Sequence, residues 1–128
     1  MPANFSRFES MKAYKLININ GDDSGFLEGT VPEDVHIEAT HFFRQSHFDK
    51  YQLSAHPAPR YQYVVTLKGK LKFTVTGGES FIIEPGILLI ADDLHGKGHI
   101  WQILDGNVWE RLYIVLPANG EDHFKPLS

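Results

Sequence analysis

Short runs of β-branched and aromatic residues, cut at intervals by glycine and proline, constrain this chain more than any other feature. The runs at 14–20, 36–43, 62–67, 71–76, 80–83, 87–90, 99–104 and 108–116 are rich in Val, Ile, Thr, Tyr, Phe and Trp. Such side chains suit a pleated, half-buried strand better than a helix. Between the runs stand turn formers: Gly21-Asp22-Asp23-Ser24-Gly25, Gly77-Gly78, Pro85-Gly86 and Asp105-Gly106-Asn107. Leu71, Phe73 and Val75 alternate with Lys72, Thr74 and Thr76, which gives that strand one wet face. Lys68-Gly69-Lys70 reads as the turn of a hairpin joining 62–67 to 71–76. Pro57 and Pro59 keep residues 55–60 extended or turning. No stretch carries a helical apolar period. The pattern predicts an all-β domain: a sandwich, a jelly roll or a small barrel.

At 128 residues and 42% hydrophobic, the chain is long enough for one core. It divides into an N-terminal arm (1–11), a barrel body (12–118) and a polar C-terminal tail (119–128). The net charge is −4, with 12 basic residues against 16 acidic ones. The lysines and arginines are scattered, so no electrostatic footprint for nucleic acid is expected. The apolar run 87–91 is far too short for a bilayer, and the first residues lack the apolar segment of a secretory signal. With no cysteine, disulfides, thiolate metal sites and cysteine nucleophiles are excluded. A cytoplasmic protein is the expectation.

Histidine is the informative residue for chemistry. There are seven, at 36, 41, 47, 56, 95, 99 and 123. Neutral imidazole ligates metals and shuttles protons near neutral pH. His56 and His99 stand out by their surroundings. His56-Pro57-Ala58-Pro59-Arg60-Tyr61-Gln62 is followed by six residues and then Gly69, while Pro85-Gly86 precedes Gly96-Lys97-Gly98-His99.

These two segments resemble the paired motifs of the cupin superfamily. The first motif there is His-x-His, a short spacer, Glu, and later Gly; the second ends in a Pro-x-Gly-x-x-His segment. The text from 55 to 116 is similar to a subgroup of small single-domain cupins. The resemblance implies a double-stranded β-helix (jelly-roll) barrel whose interior receives His56, Gln62 and His99. In a metal-binding cupin, position 58 would be the second histidine and position 62 the glutamate; here they are Ala58 and Gln62. The implied metal set is therefore reduced to His56, Gln62 and His99, for a divalent transition metal such as Zn, Fe, Mn or Ni. His41, His47 or Tyr113 would have to supply what is missing. The resemblance further implies a homodimer, with the arm and its Phe5 and Phe8 exchanged between copies.

Two functions remain open at this point. In one, the barrel is an enzyme on a small organic molecule (an isomerase, a lyase or a metal-dependent oxygenase). His56 and His99 are then ligands or an acid–base pair, Gln62 orients substrate, Arg60 pairs with an anionic group, and Asp93 orients a histidine or acts as a base. In the other, the same pocket binds or senses a small molecule without turnover. Gly96-Lys97-Gly98 is not a phosphate loop, because it leads into a strand rather than a helix.

Overall fold

The computed structural model describes residues 10–127; residues 1–9 of the expected arm (1–11) lie outside them, and Ser10 and Met11 open the first strand. Ten strands form: β1 (Ser10–Asn18), β2 (Ser24–Pro32), β3 (His41–Gln45), β4 (Gln62–Lys68), β5 (Leu71–Val75), β6 (Ser80–Ile83), β7 (Leu88–Ala91), β8 (His99–Ile103), β9 (Glu110–Val115) and β10 (Lys125–Pro126). One 3-10 turn, Lys50–Leu53, precedes β4. No α-helix occurs among the described residues, and none is available to cross a membrane.

The strands make two sheets. The larger has seven strands in the order β10-β2-β1-β7-β4-β9-β3, and the smaller has three in the order β6-β5-β8. All ladders are antiparallel except β1 with β7. Period two in the larger sheet sends alternate residues to opposite faces. Leu16, Val64, Leu89 and Tyr113 meet Phe73, Val75, Phe81 and Ile83 of the smaller sheet in the main core. Ala13, Tyr63, Leu88 and Ile90 face the other way, under Val35, Ile37 and Phe124. Residues 88–91 are thus covered on both faces, which is why they read as an unbroken apolar run rather than an alternation.

Two expected elements differ. The 68–70 turn is not a hairpin: β4 pairs with β7 and β9, whereas β5 belongs to the smaller sheet with β6 and β8. A ladder irregularity between Thr66 and Lys68 accompanies the change of sheet. The chain needs it, because β4 is buried on both faces and β5 keeps one face wet. The hairpin that β5 does form is with β6, closed by Val75 N–H to Glu79 O (3.0 Å) and Gly78 N–H to Val75 O (2.9 Å). The predicted strand at 36–43 is only half formed. Residues 36–39 lie outside any strand, and pairing with β9 begins at His41.

The strand β2 was not predicted; it pairs along its whole length with β1. Residues 119–127 fold back onto the larger sheet. Asp122 accepts from Tyr61 Oη (2.6 Å) and pairs with Lys15 Nζ (2.7 Å), and β10 pairs with β2.

Candidate functional site

A pocket between the two sheets encloses about 410 Å³, including the space at its open mouth. His56, Arg60, Gln62 and His99 all line it, with Trp101, Trp109 and Tyr113 among the aromatic walls. Four of the five candidate residues therefore share one cavity, and the fifth, Asp93, sits directly behind His99.

His99 opens β8 and is held on both sides. Its backbone pairs with Val75 of β5 on one side and bridges His56 on the other, through His56 N–H to His99 O (3.0 Å) and His99 N–H to His56 O (2.9 Å). The two imidazole centroids lie 4.8 Å apart. Gly98 makes the bridge possible. A Cβ there would fall 1.9 Å from His56 O, so only glycine lets the two chains approach.

The Asp93 carboxylate is wholly buried in the loop after β7. Its Oδ2 accepts from Ser24 Oγ (2.6 Å) and from His99 Nδ1 (2.7 Å), while Ala58 N–H donates to the Asp93 carbonyl (2.9 Å). Oδ1 has no hydrogen-bond partner among the described residues. A buried carboxylate needs such donors, and this one fixes the imidazole as the tautomer with its hydrogen on Nδ1. The Nε2 lone pair of His99 is then the basic position.

His56 Nδ1 donates to Ser54 O (2.8 Å). Burial lowers its pKa from the usual 6.5; the Ser54 hydrogen bond opposes the shift, and the neighbouring His99 adds to it. On the larger sheet, Gln62 is buried with Oε1 accepting from Arg60 Nε (3.2 Å). The Arg60 guanidinium lies over the rings of Phe43 (5.2 Å) and Tyr113 (5.9 Å), and its Nη groups have no acceptor among the described residues.

These donors do not suit a divalent metal. His56 and His99 are close enough to act together, but the third donor, Gln62 Oε1, already accepts from a guanidinium. A cation there would meet the fixed positive charge of Arg60, and among the described residues the nearby carboxylate, Asp93, stands behind His99 rather than in the donor set. Among the described residues no three His, Cys, Asp or Glu side chains cluster around a common point. His41 and His47, considered as extra ligands, are both exposed: His41 stands on the edge strand β3 beside Phe43, and His47 in the loop beyond it. Tyr113 alone of the three reaches the pocket.

Three features went unread in the sequence. Ser24, at the start of β2, is the second donor to Asp93. Arg111 is fully buried; it donates to Tyr113 Oη (2.9 Å), Trp109 O (3.1 Å) and Gln45 Oε1 (3.1 Å), and no carboxylate pairs with it among the described residues. Its guanidinium is caged by Trp109 (4.6 Å), Phe48 (5.3 Å) and Tyr113 (5.5 Å). Gln52, in the 3-10 turn, also lines the pocket. A sequence signal did exist for Arg111, because it falls in phase with Trp109, Tyr113 and Val115, all buried.

Comparison of the chain with family models, with curated proteins and with solved structures finds no match.

Proposed function

We propose that this chain is a small jelly-roll barrel of the cupin kind whose pocket carries out metal-independent proton transfer on a small organic acid. The observation that carries this reading is the buried 2.7 Å contact between His99 Nδ1 and Asp93 Oδ2, made by a histidine on the pocket wall. A carboxylate behind an imidazole holds its orientation and tautomer and stabilises the imidazolium that forms on proton uptake. Facing it are the Arg60 guanidinium, suited to a carboxylate, and the Gln62 amide. Among the described residues the pocket wall carries no carboxylate, and Asp93 lies behind His99 rather than on the wall, which favours an anionic ligand beside Arg60.

In the proposed step, His99 Nε2 takes a proton from a C–H beside a carbonyl. The C–H bonding pair becomes the C=C bond of an enolate, and the carbonyl π pair moves onto oxygen. The hydron on Nε2 exchanges with solvent and is then returned to carbon: the C=C pair takes it up and the oxygen pair re-forms the carbonyl, which completes the exchange.

The test uses pyruvate in D2O, with methyl hydrogen exchange followed by proton NMR. The native chain is expected to exchange the methyl group above buffer and to keep doing so after chelator treatment. His99→Gln is expected to lose about 100-fold or more of that rate, the usual contribution of a general base. Absence of exchange with binding retained would replace the enzyme with a small-molecule-binding module. Loss of exchange on chelation would restore a metal.

A further inference from the structure

We infer that Tyr113 is a third functional group of this pocket, a hydroxyl that donates to a carbonyl oxygen next to the carboxylate of the bound acid. The inference rests on the pocket being the organic-acid site proposed above. It comes from counting protons and lone pairs at one oxygen. A phenol oxygen carries one hydrogen and two lone pairs. Arg111 Nε–H can only donate, and it reaches Tyr113 Oη at 2.9 Å. The amide of Gln52 is oriented by its own turn: Asp49 N–H donates to Gln52 Oε1 at 2.7 Å, so the NH2 group must be the end facing Tyr113 Oη at 3.4 Å.

Both contacts are therefore received by Tyr113, which leaves its proton to be given. No acceptor for that proton exists among the described residues. The tyrosine is only 5% exposed and lines the pocket, so its proton is offered to whatever molecule occupies the pocket. A buried donor without an acceptor is costly, and an oxygen of a bound molecule removes the cost.

The placement also fits the reaction. Tyr113 enters from β9 of the larger sheet and His99 from β8 of the smaller, so donor and base reach the cavity from facing sheets. The Arg111 guanidinium, fixed by two further acceptors and an aromatic cage, polarises the phenol O–H without itself lining the cavity. A donor so backed stabilises the negative oxygen of an enolate more than the neutral carbonyl that precedes it. The ligand class that uses Arg60, Tyr113 and His99 together is a 2-oxo acid. Arg111 and Gln52 are positioning residues.

The probes are pyruvate and propionate, which differ in the keto oxygen that Tyr113 would contact. Each is titrated into 15N-labelled protein while the indole N–H resonances of Trp101 and Trp109, the only two tryptophans, are followed; both rings line the pocket. The native chain is expected to prefer pyruvate by about tenfold, since a site built to hydrogen-bond a group rejects the analogue lacking it. Tyr113→Phe is expected to bring the preference below about twofold, read as the ratio of the two affinities in the same variant. Gln52→Met, a second variant that frees one lone pair and lets the hydroxyl turn, is expected to lower the ratio by about threefold.

An unchanged preference in Tyr113→Phe overturns the inference, as does an unchanged ratio in Gln52→Met if the first variant does not fold. Equal binding of both acids to the native chain overturns it and leaves the organic-acid site standing. If neither acid moves either resonance, the site and the inference fall together.

Discussion

Replacing Gly98 with alanine separates the steric demand of the site from ordinary turn strain. Gly98 has φ +80°, and an added Cβ would lie 1.9 Å from His56 O, 2.0 Å from His56 C and 2.3 Å from Pro57 N. All three are backbone atoms, so no side chain can swing aside. The bridge between His56 and His99 must open, with the loss of its 3.0 Å and 2.9 Å hydrogen bonds. Each such bond contributes about 1 kcal/mol net. Left-handed backbone adds about 1 to 2 kcal/mol for alanine. The total is about 3 to 4 kcal/mol, a large share of the stability of a domain this size. With a urea slope of about 1.5 kcal/mol/M, the unfolding midpoint should fall by roughly 2 M or more. Gly106→Ala is the control: it has φ +73° but nothing within 4 Å of the new Cβ. It should cost only the backbone strain, about 1 to 2 kcal/mol. Equal losses for the two variants would refute the close approach at His56.

Three further outcomes follow from the packing. Phe73→Ala removes a buried ring set against Phe81 (5.5 Å), Trp109 (5.8 Å) and His99 (5.8 Å); chemical denaturation should show a loss of about 3 to 5 kcal/mol. Asp122→Ala strips the acceptor shared by Tyr61 Oη, Lys15 and Phe124 N–H, and calorimetry should show about 2 to 4 kcal/mol lost. Burial works against that carboxylate's charge, but the hydrogen bonds from Lys15, Tyr61 and Phe124 and the charge of Lys15 outweigh it and hold its pKa below the usual 3.8. Its stabilisation is therefore present at neutral pH and lost as pH falls through the lowered folded value. His56 acts in the same sense at higher pH. Its folded pKa is lowered, so its contribution is whole above the ordinary 6.5 and declines as pH drops below that toward the folded value. Urea midpoints at pH 7.5 and 5.0 should differ less in His56→Gln than in the native chain; an unchanged pH slope would argue against a buried neutral imidazole.

Much of the second half of the chain was legible because its elements announce themselves. Leu71, Phe73 and Val75 alternate cleanly, and 80–83, 87–90 and 99–104 lie within a residue of β6, β7 and β8. The strand β2 was not legible. Gly25, Gly29 and Pro32 look like turn residues, and its burial does not alternate, yet pairing with β1 holds it extended. The segment 36–39 misled in the opposite direction, since its alternation has no partner strand.

At the site, the sequence drew attention to His56, Arg60, Gln62, Asp93 and His99, and the fold gathers them at one pocket. Ser24 is separated from Asp93 by 69 positions and Gln52 from Tyr113 by 61, and no local pattern encodes either contact. The order β2-β1-β7 in the larger sheet brings Ser24 to the loop after β7, and the 3-10 turn sets Gln52 against Tyr113 of β9. The smaller sheet also explains why the turn at 68–70 deceived: adjacency along the chain concealed a change of layer.

The orientation of the His99 imidazole is the point on which the proposed chemistry depends. Two-bond 15N–1H correlation of the histidine side chains at pH 7.5 reads it directly. The 2.7 Å contact with Asp93 requires a hydrogen on His99 Nδ1, and the proposed base adds an unprotonated Nε2; that pair of signals should disappear in Asp93→Leu. A His99 protonated at Nε2, with Nδ1 bare, would contradict the dyad and leave the pocket without its base.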